Sequence, residues 1–192
     1  MSRVLLRRLD QVTTAISSRD LYLSLKGIAD IGIRITFKSG GASETPNLVN
    51  AIPGILQDLS KEHLGSLIIT FSKLGLSWGD AADEIRQAMM DCIETHCSSM
   101  TVPQLSLVLR ALTFCKVSWA SLSSSLKDKV LKTMSSQIKV CDSNAIPLLL
   151  QPLSKLGVRA DIMPQELSDS LVRAFMNSLI SLPPQGISQA IS

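Results

Sequence analysis

Few side chains in this 192-residue chain are of types that do chemistry, and their spacing decides what they can do. Two histidines, His63 and His96, and four cysteines, Cys92, Cys97, Cys115 and Cys141, are the natural candidates for nucleophilic, general-base or metal-binding roles. Cys92, His96 and Cys97 fall on neighbouring turns of one predicted helix. A zinc site takes about four such ligands, and the local sequence offers no more of them. With no CxxC pair and no disulfide-like framework, the thiols read as small packing residues of a reducing compartment. No GxSxG, P-loop, HExxH or glycine-rich dinucleotide turn occurs, and no serine or aspartate is tied by spacing to a base. A non-catalytic chain without cofactor or metal is therefore expected, and the chemistry left to it is binding.

Composition narrows the elements that must position a binding surface. Apolar residues make up 45% of the chain and aromatics only 4%, so the core is built from Leu, Ile, Val, Ala and Met. That palette favours helix packing over a β-sandwich, whose strands draw on Val, Thr and aromatics. Mean hydropathy is high at +0.26. Apolar runs such as Leu67 to Phe71 and Ile146 to Leu150 are nevertheless far short of the roughly 18–20 residues that span a bilayer, so no membrane insertion is expected. The net charge of +3 suits a polyanionic partner without requiring one.

The chain writes one phrase three times: SKLGLSW at 72–78, FCKVSW at 114–119 and SKLGVRA at 154–160. Aligning Trp78, Trp119 and Ala160 gives a spacing of 41 each time (119 minus 78, and 160 minus 119). Leu64, Leu105, Ile146 and Ile187 fall in register, as do Ile85, Leu126 and Leu167. A weaker copy around Ile31, Gly32 and Ile33 stands 43 residues before Leu74 to Leu76, its extra length in the loop FKSGGASETP at 37–46. Each unit reads as two helices. In the first, Leu64, Leu67, Ile68, Phe71 and Leu74 line one face, and Gly75 closes the last turn. The second runs from about Asp80, placed as an N-cap, to Cys97, with equivalents at about 121–138 and 164–179. Pro103 and Pro164 suit helix starts, whereas Pro147 and Pro152 predict a distorted start to the helix that holds them. The expected fold is all-α: an α-solenoid of stacked hairpins with a period of about 41 residues. Its units would be 17–60, 61–101, 102–142 and 143–183, preceded by a capping helix at 1–16 and followed at 184–192 by the start of another.

A hairpin whose first helix reads L..LL..LSKLG before a V-S-W-type turn resembles the octotricopeptide and heptatricopeptide class of organellar repeats. Similar arrays occur in proteins related to the FAST-kinase-like and RAP-domain families. The likeness lies in Leu64 to Trp78, Leu105 to Trp119 and Ile146 to Ala160, and in the openings Pro103-Gln104-Leu105 and Pro184-Gln185-Gly186-Ile187. Tetratricopeptide units, at about 34 residues, are too short, while HEAT units overlap in length. No RAP domain is visible. The resemblance implies RNA binding in an organelle, the mitochondrion first and the plastid or cytoplasm as alternatives, within a ribosome or an RNA-processing complex. It also implies that the first helix of each unit lines the groove.

If so, the non-core stripe of those helices carries the contacts. Lys26, Lys73, Arg110 and Lys155 would neutralise phosphates, Asn144 and Gln151 would read base edges, and Phe114 would stack on a base. The same stripe holds Ile69, Leu107 and Leu148, which suit a protein surface, so a HEAT-like scaffold within a large assembly is the alternative. Trp78 and Trp119, at equal places in two units, read as wedges between helices rather than base-stackers. The N-terminus, with Arg3, Arg7, Arg8 and Arg19 against a lone Asp10, resembles a mitochondrial presequence. The structural alternative is a helix with Leu5, Leu9, Val12 and Ile16 as its apolar stripe.

Overall fold

The computed structural model describes residues 2–35, 37, 45–138 and 146–181, and every regular element among them is helical. In chain order these are α1 Ser2–Val12, α2 Ser18–Asp30, α3 Pro46–Asp58, α4 Lys61–Leu74, α5 Asp83–Cys97, α6 Val102–Phe114, α7 Ser124–Ile138, α8 Ile146–Leu156 and α9 Gln165–Ser181. Short 3₁₀ turns lie at Thr13–Ala15, Trp119–Ser121 and Ala160–Ile162. The even-numbered helices pack in series from α2 to α8, and the odd-numbered ones from α1 to α9. Contacts of α2 with α3, α6 with α7 and α8 with α9 join the two rows. The openings of α5, α7 and α9 are 41 residues apart (124 minus 83, and 165 minus 124).

Apolar periodicity explains the core between the rows. Leu64, Leu67, Ile68, Phe71 and Leu74 of α4 are all fully buried, as are Leu105 of α6 and Leu149 of α8. Each such side chain contributes about 1.5–3 kcal/mol of transfer free energy. Phe71 also meets Phe37 edge-on, with ring centroids 6.4 Å apart.

One backbone device ends all four even-numbered helices. Gly75 takes φ 109°, its N–H donates to the Ser72 carbonyl at 3.0 Å, and the Leu76 N–H donates to the Phe71 carbonyl at 2.9 Å. This paired closure depends on a left-handed residue. Gly32 and Gly157 repeat it, and so does Lys116 at φ 61°, whose place glycine holds in the other three turns. A lysine is strained there by about 1 kcal/mol. Lys116→Gly is therefore expected to leave stability level or raise it by about 0.5 kcal/mol, the relief being partly offset by glycine's greater unfolded-state entropy. Gly75→Ala should lose about 1–2 kcal/mol, because its Cβ would also stand 3.2 Å from the Ile35 carbonyl oxygen. Urea titrations of the two variants measure both shifts.

Pro152 sits inside α8 and has no N–H for the carbonyl of Leu148, four residues earlier. The vacancy is filled from the neighbouring helix: the Ser106 hydroxyl of α6 donates to that carbonyl at 2.6 Å. Serine on α6 thus satisfies an acceptor that proline on α8 leaves open. Ser106→Ala should cost about 1 kcal/mol, the net contribution of one hydrogen bond to a part-buried acceptor. In a Pro152→Ala background, where an N–H returns, chemical denaturation should show a smaller cost for the same substitution.

Three expectations need correction. Asp80 lies in a turn, and α5 begins at Asp83 after Ala82, because Ser77 accepts the N–H groups of Asp80 and Ala81 in a separate bend. The expected stripe of α1 holds in part: Leu9 is buried and Ile16 beyond the helix packs on the core, but Leu5 and Val12 are exposed, and Leu6 and Asp10, with Thr13 in the following turn, face inward instead. Asp10 turns inward because its carboxylate accepts from the Leu48 N–H at 2.8 Å and from Asn47 Nδ2 at 3.2 Å, closing the first turn of α3. Pro147 is no interior residue but the second of α8, where a missing N–H costs nothing.

Candidate nucleic-acid interface

The buried positions of α4 turn one face toward the core and leave Glu62, Ser66, Ile69 and Lys73 on the other. Equivalent outward positions run along the whole even-numbered row. Lys26 on α2, Lys73 on α4, Arg110 and Phe114 on α6, and Gln151 and Lys155 on α8 are all exposed. Asn144 lies outside the described residues. The apolar members differ among themselves: Ile69 and Leu107 are half-buried between neighbouring helices, whereas Leu23 and Leu148 stand in solvent.

Charge is not uniform along this surface. Lys73 is not free: its ammonium pairs with Asp30 of α2 at 2.8 Å, and the bond from Lys73 holds the Asp30 carboxyl below its usual range. Asp30 and Lys73 hold matching places on adjacent helices, 43 residues apart in the sequence. Farther along, neither α6 nor α8 contains an aspartate or glutamate. Arg110 and Lys155 accordingly make no ion pair among the described residues. One turn from Arg110, Phe114 leaves half of its surface, 50%, open. Two unpaired cations, an exposed ring and the Gln151 amide thus share the outward face of α6 and α8.

The odd-numbered row carries a different surface. Asp83, Glu84 and Asp91 are exposed on α5, where Arg86 is paired with Asp83. Glu94 accepts from the Ser125 hydroxyl at 2.6 Å and pairs with Lys129 at 3.2 Å, and these bonds hold its carboxyl below the ordinary range. Counter-charges here are spent on tying α5 to α7.

The three cysteines among the described residues, Cys92, Cys97 and Cys115, turn inward, while Cys141 lies outside them. Cys92 donates to the Leu56 carbonyl at 2.9 Å, and Cys97 lies 3.7 Å from the Thr133 hydroxyl. Burial pushes the Cys92 thiol up to about 11 and that of Cys115 to about 12, so both stay protonated and poorly nucleophilic at neutral pH. Among the described residues, no group of three or more His, Cys, Asp or Glu is placed to hold a metal. Trp119 is buried, and Trp78 packs half-buried on the core while its backbone N–H donates to the Cys115 carbonyl at 2.8 Å. Packing is thus the role of both tryptophans. No helix among the described residues is long and apolar enough to cross a membrane.

One cleft escaped the sequence reading. Where α2 meets the start of α4, Arg19, Tyr22, Leu23, Asp58 and His63 line a depression of about 380 Å³, and the Tyr22 and His63 rings stand 6.0 Å apart. Ser18 donates to Asp58 across it at 2.6 Å. The signal lay in the register: Tyr22 occupies the place where the next helix has Gly65, so a large ring fills the space beside α4. No protein-family model matches the chain, and comparison with curated proteins yields no sequence match.

Proposed function

We propose that the chain is an α-solenoid of helical hairpins that binds single-stranded RNA along the outward face of its even-numbered helices. Support for the solenoid comes from the two serial rows, the equal spacing of α5, α7 and α9, and four like-built helix ends. The even-numbered row is the concave side, as its close approach at Gly65 and Leu107 favours. The observation that carries the RNA reading is the face of α6 and α8, where Arg110 and Lys155 have no carboxylate on their own helices and Phe114 is open for stacking. Phosphates would meet the cations, and a base would meet the ring. A mitochondrial setting, in a ribosome or an RNA-processing complex, is part of this proposal and rests on the resemblance of the repeat phrase to organellar repeat proteins.

The test is anisotropy with a labelled single-stranded RNA at two salt concentrations. Binding should weaken with salt, and Arg110→Ala with Lys155→Ala should lower the slope of log K against log salt by about 1.4. No binding at low salt, or an unchanged slope in the variant, contradicts the reading. Exposed Leu23 and Leu148 favour a second one, a protein-binding scaffold. Co-purification of a protein that survives nuclease treatment would support it.

A further inference from the structure

The cleft between α2 and the start of α4 opens on the face proposed to carry RNA, since Arg19, Leu23 and Lys26 follow at i, i+4 and i+7 along the outward side of α2. Its volume of about 380 Å³ falls among sites for small ligands, roughly 300–1,000 Å³. Tyr22 makes it more than a gap between helices. The residue is only 6% exposed, and its hydroxyl has no hydrogen-bond partner among the described residues. No sealed side-chain nitrogen or oxygen is left unpaired among them, so that hydroxyl opens onto the cleft. A tyrosine buried this far normally finds a partner for its hydroxyl. Here the partner is left to whatever enters.

Charge and ring chemistry select the occupant. The Asp58 carboxylate accepts one hydrogen bond, from Ser18, and an ionised carboxylate has about four acceptor sites. Glu62, the next acid, is bonded to Ser60 at the head of α4. Of the other nearby charges, Asp20 is bonded to Ser17, and Lys61 reaches away to the Ser99 carbonyl. Two carboxylates against Arg19 make the cleft a poor place for a phosphate and a good one for an uncharged base with donors to offer. Exposed His63, its ring 6.0 Å from that of Tyr22, gives such a base an aromatic wall, and Leu23, 52% exposed, gives an apolar one. Guanine alone among the four bases offers two adjoining donors, N1–H and the 2-amino group, beside an acceptor, O6. A carboxylate takes the pair, and a hydroxyl donates to the third. We propose, on the footing of the RNA-binding reading, that the cleft holds one unstacked guanine of the bound strand: N1–H and the 2-amino group donate to Asp58, O6 accepts from Tyr22, and the adjoining phosphate meets Arg19.

Anisotropy with an oligouridine, and with the same strand carrying one central guanosine or adenosine, tests this. The parent should bind the guanosine strand about tenfold more tightly than either of the others. Asp58→Asn and Tyr22→Phe should each cut that preference to about twofold or less while oligouridine binding and the urea midpoint hold, since asparagine still accepts from Ser18 and the Tyr22 hydroxyl bonds nothing in the fold. Free GMP should displace the guanosine strand far less well than the unlabelled strand does. Equal affinity for the three strands, a preference for adenosine, or a preference that survives both substitutions would overturn the inference and leave the RNA reading standing. So would tight binding of GMP without preference among the strands, which would assign the cleft to a free nucleotide. Failure to bind any of the three would overturn the RNA reading and the inference with it.

Discussion

Gly65→Val is expected to destabilise the fold by about 3 kcal/mol, the upper part of the usual range for overpacking. A Cβ on Gly65 would stand 2.7 Å from Leu107 Cγ and 3.1 Å from the Leu107 backbone carbon. Those atoms cannot swing aside as the tip of a flexible side chain would, so α4 and α6 must separate. Ser106 holds the matching place on α6, and there the small side chain also supplies the hydrogen bond to α8. A control isolates close approach from helix propensity. Gly54 of α3 has nothing within 4 Å of its Cβ position, so Gly54→Ala should stabilise by about 0.5–1 kcal/mol. Urea unfolding followed by circular dichroism reads both signs. Equal effects at Gly65 and Gly54 would contradict the close packing.

Arg110→Glu combined with Lys155→Glu is expected to reduce single-stranded RNA affinity about 100-fold at low salt, each reversal removing an attraction and adding a repulsion. Both side chains are exposed and unpaired among the described residues, so neither substitution strands a buried partner. Reversing Lys127 and Lys132 on α7 changes the net charge equally but on the other row. That variant should bind within about threefold of the parent, since its lysines lie off the proposed track. Titrations of the three proteins against one RNA at fixed salt give the comparison. Equal losses would show that net charge, not the face of α6 and α8, governs binding.

Much of this was legible in the chain because a packed row of helices repeats its constraints. The apolar spacing of Leu64 to Leu74 located α4 and its buried face, and Gly75 marked its end. Lys116 shows the limit: a lysine takes the left-handed turn that glycine takes elsewhere, and only the surrounding register reveals it. Asp10 shows another. Its partner is the first turn of α3, 37 and 38 residues away, so nothing near it in sequence announces a cap. The face of α1 was legible only in part for a related reason: Leu5 and Val12 share helical spacing with buried Leu9, but Leu6 is buried in their stead because the approach of α3, not periodicity, chooses the face. At the candidate site the sequence supplied the residue types and their common face. It did not separate Lys73, which is tied to Asp30, from Arg110 and Lys155, which are not; that distinction depends on which charges lie across from them in space.

Cross-linking with a 4-thiouridine-substituted single-stranded RNA followed by peptide mapping reads whether RNA lies on the even-numbered row. Adducts are expected on the α6 and α8 peptides, centred on Phe114 and lost in Phe114→Leu. Adducts confined to α5, α7 or α9, or none at concentrations where the RNA is bound, would contradict it.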